Sequence, residues 1–183
     1  RSGPFSDVGE GERQVDILVS ACLLGTPCRY DGASRPCGEL ARLEVLGHRL
    51  IPVCPEVMGG LPTPRPPAEL QRDGRVVDRA GKDVTEAYRL GAEEVLELAR
   101  AHRCTLAVLK ERSPSCGRGQ IYDGSFTGRL TEGSGVTARL LEEHGVQVYG
   151  ESEAGTLAER GEAREEGQRA SRPLPSKYPG KND

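Results

Sequence analysis

The chain has 183 residues, of which 36% are hydrophobic, 4% aromatic and 29% charged, and its 28 acidic and 25 basic side chains give a formal net charge of -3. That length suits one domain with a real core and is marginal for two. The slight acidic balance offers no basic face for nucleic acid, and no apolar run is long enough to span a membrane. With no secretory leader legible at its start, the chain reads as cytoplasmic, where its six cysteines stay reduced. They are then core residues, reactive thiols or metal ligands.

Residues 1–13 are polar and glycine-rich and read as a loose N-terminal arm. Residues 16–21 (DILVSA) form the first buried-strand candidate, and 49–53 (RLIPV) the second. Between them, 39–46 predicts a short helix bounded by Gly38 and Gly47. The stretch 62–79, rich in proline and charge, predicts a long surface loop. A longer helix follows at 83–101, with Val84, Ala87, Gly91, Val95, Leu98 and Ala99 on one face and Asp83 with Glu86 resembling a capping box. Residues 105–109 (TLAVL) give a third strand, 136–144 a helix ended by Gly145, and 146–149 (VQVY) a fourth strand. From residue 152 the composition turns to Glu, Arg, Gly, Pro and Ser, with only Leu157 and Leu174 as large aliphatics. A disordered tail over 152–183 is expected, with a short charged helix near 156–166 as the alternative. The fold class is therefore α/β: a single Rossmann-like domain over 14–151, with a small parallel sheet flanked by helices.

Three cysteines fall at predicted strand ends: Cys22 after the first, Cys54 directly after the second, and Cys116 seven residues after the third. The carboxyl ends of the strands form one edge of a parallel sheet, where ligands bind. Thiolates are soft ligands for zinc, copper(I) or iron–sulfur clusters. No Cys-x-x-Cys knuckle of the structural zinc type occurs. Three thiolates from three strand ends suit a [4Fe–4S] cluster whose fourth iron has no protein ligand. Cys104 and Cys37 read as packed or incidental thiols, and Cys28, six residues from Cys22, as a further thiol within reach of the same crevice.

At these positions the sequence resembles the thiouracil desulfurase family. The matching segments are SACLLG at 20–25, RYDG at 29–32, CPEVMGGL at 54–61, PRPP at 64–67, GKDVT at 81–85 and SPSCG at 113–117, in the family's order from about residue 16 to 150. The resemblance implies a compact α/β domain, a [4Fe–4S] cluster on Cys22, Cys54 and Cys116, and removal of sulfur from thiolated uracil to give uracil and hydrogen sulfide. Family members often lack a cysteine where Cys28 stands, which speaks against Cys28 as an obligatory ligand.

Desulfurisation needs a soft vacant iron for the thiocarbonyl sulfur, a nucleophile for the ring carbon and an acid–base group for the protons. Glu56, two residues after Cys54, is the acid–base candidate; a loop-anchoring carboxylate is the alternative. Ser113 and Ser115 flank Pro114 beside Cys116 and could orient water or attack, or simply bond the turn. Lys110 could neutralise developing charge. Arg29 and Arg65 are candidates for a uracil carbonyl or a phosphate, and Gly60 for close approach of backbone to substrate. Two other classes stay open: a non-enzymatic zinc- or redox-responsive cysteine module, and another open-iron enzyme such as a dehydratase. The expected partner is a small thiolated pyrimidine, with neither DNA nor a membrane.

Overall fold

The computed structural model describes residues 14–171. Its centre is a four-stranded parallel sheet of β1 (Asp16–Ser20), β2 (Arg49–Val53), β5 (Leu106–Leu109) and β8 (Gln147–Gly150), in the order β2-β1-β5-β8. These are the four expected runs, with ends shifted by a residue. Pro52, which cannot donate to a ladder, lies on the edge strand β2. The chain leaves β1 for β2 on one side and later reaches β5 on the other. A topological switch point therefore lies between the carboxyl ends of β1 and β5.

Alternation along the strands assigns the two faces. Ile17, Val19 and Val108 pack with Leu40 and Leu43 of α1 (Leu40–Val45) and with Ala154 and Ala158 of α5 (Ala154–Ser171). On the opposite face, Leu18, Ala107 and Leu109 pack with Val95, Leu96 and Ala99 of α3 (Thr85–Ala101) and with Ala138 and Leu141 of α4 (Val136–Glu143). Among the described residues no helix is long and apolar enough to cross a membrane.

Several expectations are corrected. The capping box at Asp83 does not form: Asp83 accepts hydrogen bonds from the Thr85 N–H and hydroxyl, while Glu86 pairs with Arg89. The helix accordingly starts at Thr85. The loop 62–79 contains the antiparallel hairpin β3 (Ala68–Leu70) and β4 (Val76–Asp78), and a second small hairpin joins β6 (Gln120–Tyr122) to β7 (Leu130–Glu132). The tail expected to be disordered from residue 152 is helical over Ala154–Ser171. Ala154 and Ala158 are fully buried against the sheet and α1, and Arg42 on α1 forms a two-pronged pair with Glu162. Small residues thus supplied the close packing that a count of large aliphatics missed. The expected arm at 1–13 and the tail beyond 171 lie outside the described residues.

Candidate functional site

The loops leaving β1, β2 and β5 enclose a cavity of about 600 Å³ at the carboxyl edge of the sheet. Cys22 lies on the 3₁₀ turn that follows β1, Cys54 caps α2 (Pro55–Met58), and Cys116 sits in the turn after β5. All three line the cavity, as does Cys28. Burial is the main influence on each thiol. It pushes Cys22 up to about 11, against the favourable charge of Lys110, and Cys54 up to about 12, against a hydrogen bond from the Val57 N–H. The fully buried Cys116 is also pushed up, with the Glu56 carboxylate adding to the burial effect and a hydrogen bond to Ser20 opposing it. As free thiols they are thus neutral at pH 7, and a soft metal that binds them must displace their protons.

Among the described residues no three His, Cys, Asp or Glu side chains are drawn together closely enough to hold one metal ion. Thiolates sharing a single zinc lie within about 4 Å of one another, given zinc–sulfur bonds near 2.3 Å. Three thiols on three separate loops around one cavity supply the soft sulfur donors that an iron–sulfur cluster takes.

Glu56 lies in the first turn of α2 and lines the cavity. A guanidinium covers it: Arg65 Nη2 donates to Glu56 Oε2 at 2.5 Å, with side-chain exposures of 4% for Arg65 and 15% for Glu56. Arg65 Nη2 also donates to the Cys28 carbonyl, and Nη1 to the Pro62 carbonyl and Thr63 Oγ1. All four N–H bonds of its two terminal nitrogens are committed, so through them Arg65 positions Glu56 and the Cys28 loop. Tyr88, buried on α3, stands against the same carboxylate; burial, then the Glu56 charge, push its phenol upward. Gly59 and Gly91 let α2 lie against α3: a Cβ on Gly59 would come within 1.9 Å of the Ala87 carbonyl oxygen. The platform carrying Cys54 and Glu56 is thereby set close to α3.

Arg29 lines the cavity, and its Nη1 is the one buried side-chain nitrogen or oxygen among the described residues without a hydrogen-bond partner. A buried guanidinium N–H left unmatched is a donor that a ligand oxygen would satisfy. Ser113 also lines the cavity; its Oγ accepts from the Ser115 and Cys116 N–H groups, each at 3.1 Å, which leaves its O–H free to donate. Lys110 lines the cavity too, but its Nζ is bound to Glu151 Oε1 at 2.6 Å and to the Glu111 carbonyl, so it anchors the start of the chain after β8.

Two expected site residues stand apart. Ser115 is fully buried, 2.9 Å from Thr137 Oγ1, and does not line the cavity: its hydroxyl ties the Cys116 turn to α4. Gly60 is also absent from the lining; at φ +94° it makes the turn after α2. Cys37 points its thiol toward the Glu151 carbonyl, and Cys104 lies at the other end of the sheet near Asp16 and Arg49. Sequence reasoning missed Ser20, which accepts the Lys110 N–H and bonds the Cys116 thiol, as well as Tyr88, Glu69 and Phe126 of the cavity wall. A serine ending a buried strand just before Cys22 was the only available signal.

These features define a parallel α/β domain with a thiol-rich cavity at its switch point. The 2-thiouracil desulfurase family model matches residues 17–153, and the chain belongs to that family. It is 44% identical over 146 residues to the uncharacterized protein YbbK of Bacillus subtilis strain 168, covering 75% of this chain and 96% of that protein. A solved structure described as the [4Fe-4S]-dependent thiouracil desulfidase TudS superposes with a TM-score of 0.74 at 49% identity, covering 80% of this chain and 97% of that one.

Proposed function

We propose that the protein removes sulfur from a thiolated uracil, as the free base, nucleoside or nucleotide, with Cys22, Cys54 and Cys116 as the protein ligands of a [4Fe–4S] cluster. The observation that carries this reading is the convergence of three thiols from three strand ends on one cavity that also holds the buried Glu56–Arg65 pair. Family membership and the likeness to TudS support it. When bound, such a cluster offers an iron without a protein ligand, a soft Lewis acid suited to a thiocarbonyl sulfur. A cytoplasmic setting, which keeps thiols reduced, suits such ligands.

The overall change replaces a carbon–sulfur bond by a carbon–oxygen bond. Water supplies the product oxygen and both protons of hydrogen sulfide, so no oxidant or reductant is consumed. Glu56 takes a proton from the attacking water and returns it to the departing sulfur. Arg65 and Tyr88 hold that carboxylate toward the cavity. Arg29 Nη1 donates to the ring carbonyl that keeps its oxygen, and the Ser113 O–H donates to the atom where negative charge develops.

The test is anaerobic reconstitution with iron and sulfide, followed by assay of iron, acid-labile sulfide and sulfide release from 2-thiouracil. The wild-type protein releases sulfide, and Glu56→Gln at matched iron content turns over about a hundredfold more slowly with little change in KM. A colourless zinc-loaded protein that releases no sulfide would contradict the proposal.

A further inference from the structure

Phe126 is the single phenylalanine among the described residues, and it sits where a phenylalanine is conformationally costly. It lies between β6 and β7 with φ +58°, the left-handed region that side chains with a Cβ avoid. The turn is held there from below. Glu69 on β3, a buried carboxylate, accepts the N–H of Phe126 at 3.2 Å and the N–H of Gly124 at 3.0 Å through the same Oε1. Gln71 Nε2 adds bonds to the carbonyls of Gly124 and Glu69. One hairpin thus grips the tip of the other, and both Glu69 and Phe126 line the cavity that holds the thiols.

Glycine would take this backbone conformation without strain, and the same turn already has glycines at 124 and 128, both with positive φ. Strain maintained by its surroundings at a site wall points to a use for the side chain. The other aromatic rings of the cavity are otherwise engaged or carry a polar group: Tyr88 stands against Glu56, Tyr30 lies beneath the Arg29 guanidinium at 5.6 Å, and Tyr122 carries a hydroxyl. Phe126 brings a flat apolar ring with no polar handle. The proposed ligand is itself planar, with hydrogen-bonding groups only around its edge. Arg29 and Ser113 supply edge donors, and an aromatic face is the complement that remains.

We infer that Phe126 is a substrate-positioning residue whose ring stacks on the pyrimidine, with Glu69 holding the strained turn that presents it. The inference rests on the reading of the ligand as a thiolated uracil. Its test is equilibrium binding of uracil, a non-reacting probe, to anaerobically reconstituted protein, paired with the thermal midpoint of each variant. Phe126→Gly weakens uracil binding about tenfold while the thermal midpoint holds or rises, because the substitution relieves backbone strain. Phe126→Tyr, which keeps the ring, binds within about threefold of wild type. A purely structural role predicts instead a lower midpoint for Phe126→Gly with unchanged binding, and that result would overturn the inference. Equal uracil binding by wild type and Phe126→Gly would overturn the stacking alone. Wild-type protein that binds neither uracil nor 2-thiouracil would overturn the pyrimidine reading and the stacking together.

Discussion

The two ends of the central sheet each carry an ion pair that bridges separate segments, and they differ in nearly every physical respect. At the amino end, Arg49 of β2 reaches across to Asp16 of β1, joined by His102, with the Arg49 side chain 66% exposed. At the carboxyl end, Glu56 and Arg65 meet under cover, with both terminal nitrogens of Arg65 saturated by the chain. Exposed pairs are screened by water and salt and fix little, whereas a buried pair is expensive to create and holds its members in one geometry. Cysteines follow the same division: Cys104 alone lies at the amino end, and Cys22, Cys28, Cys54 and Cys116 line the cavity at the other. The amino end closes the fold, and the carboxyl end holds costly groups in place for chemistry.

The largest contrast comes from exchanging one thiol at each end. Cys54→Ser removes most of the bound iron on anaerobic reconstitution, because a hard hydroxyl is a poor cluster ligand, while Cys104→Ser, at the more deeply buried thiol, keeps the wild-type iron content and visible spectrum. Equal iron loss in both would make the effect one of general destabilisation. A smaller effect is expected for Arg65→Met, which strands Glu56 in a buried setting. Urea unfolding should show a loss of about 3–5 kcal/mol, and the double variant with Glu56→Gln should recover part of it.

The smallest effect belongs to the amino end. The Arg49 guanidinium, through its hydrogen bond and then its charge, holds the Asp16 carboxyl below the usual carboxylate range, with His102 helping. A carboxyl depressed in the folded state contributes stability that is present above its unfolded value, near pH 4, and lost as pH falls through the lower folded value. Asp16→Asn should therefore cost a little stability at pH 7, and the two proteins should converge as pH falls through the lowered folded value. Added salt should narrow the gap at neutral pH. A large, salt-independent cost at pH 7 would show that the two ends are not as different as their exposure implies.

The parts of the molecule legible in the sequence are those with a strong periodic or punctuated signal. The four core strands are short apolar runs, and the cysteines that end three of them could be assigned to one sheet edge without knowing any contact. The resemblance then gave these thiols a cofactor and a reaction. Pairings between distant side chains left no such trace. Arg65 sits in a proline-rich stretch that reads as open loop, and its commitment to Glu56 depends on how residues 62–70 fold back over the Cys28 carbonyl. The three-residue strands β3, β4, β6 and β7 are too short for periodicity to register, so the hairpin grip of Glu69 on the Phe126 turn was invisible. Helix α5 escaped because Ala154 and Ala158 pack by being small, which a composition count reads as lack of core.

Cys22, Cys54 and Cys116 are proposed to hold one cluster together at the switch point. The most direct measurement is anomalous scattering at the iron edge from crystals of anaerobically reconstituted protein. Four iron positions are expected in the cavity, three of them bonded to the sulfur atoms of these cysteines and the fourth without a protein ligand. Iron bonded to Cys28 in place of any of the three, or a lone metal ion in the cavity, would contradict it.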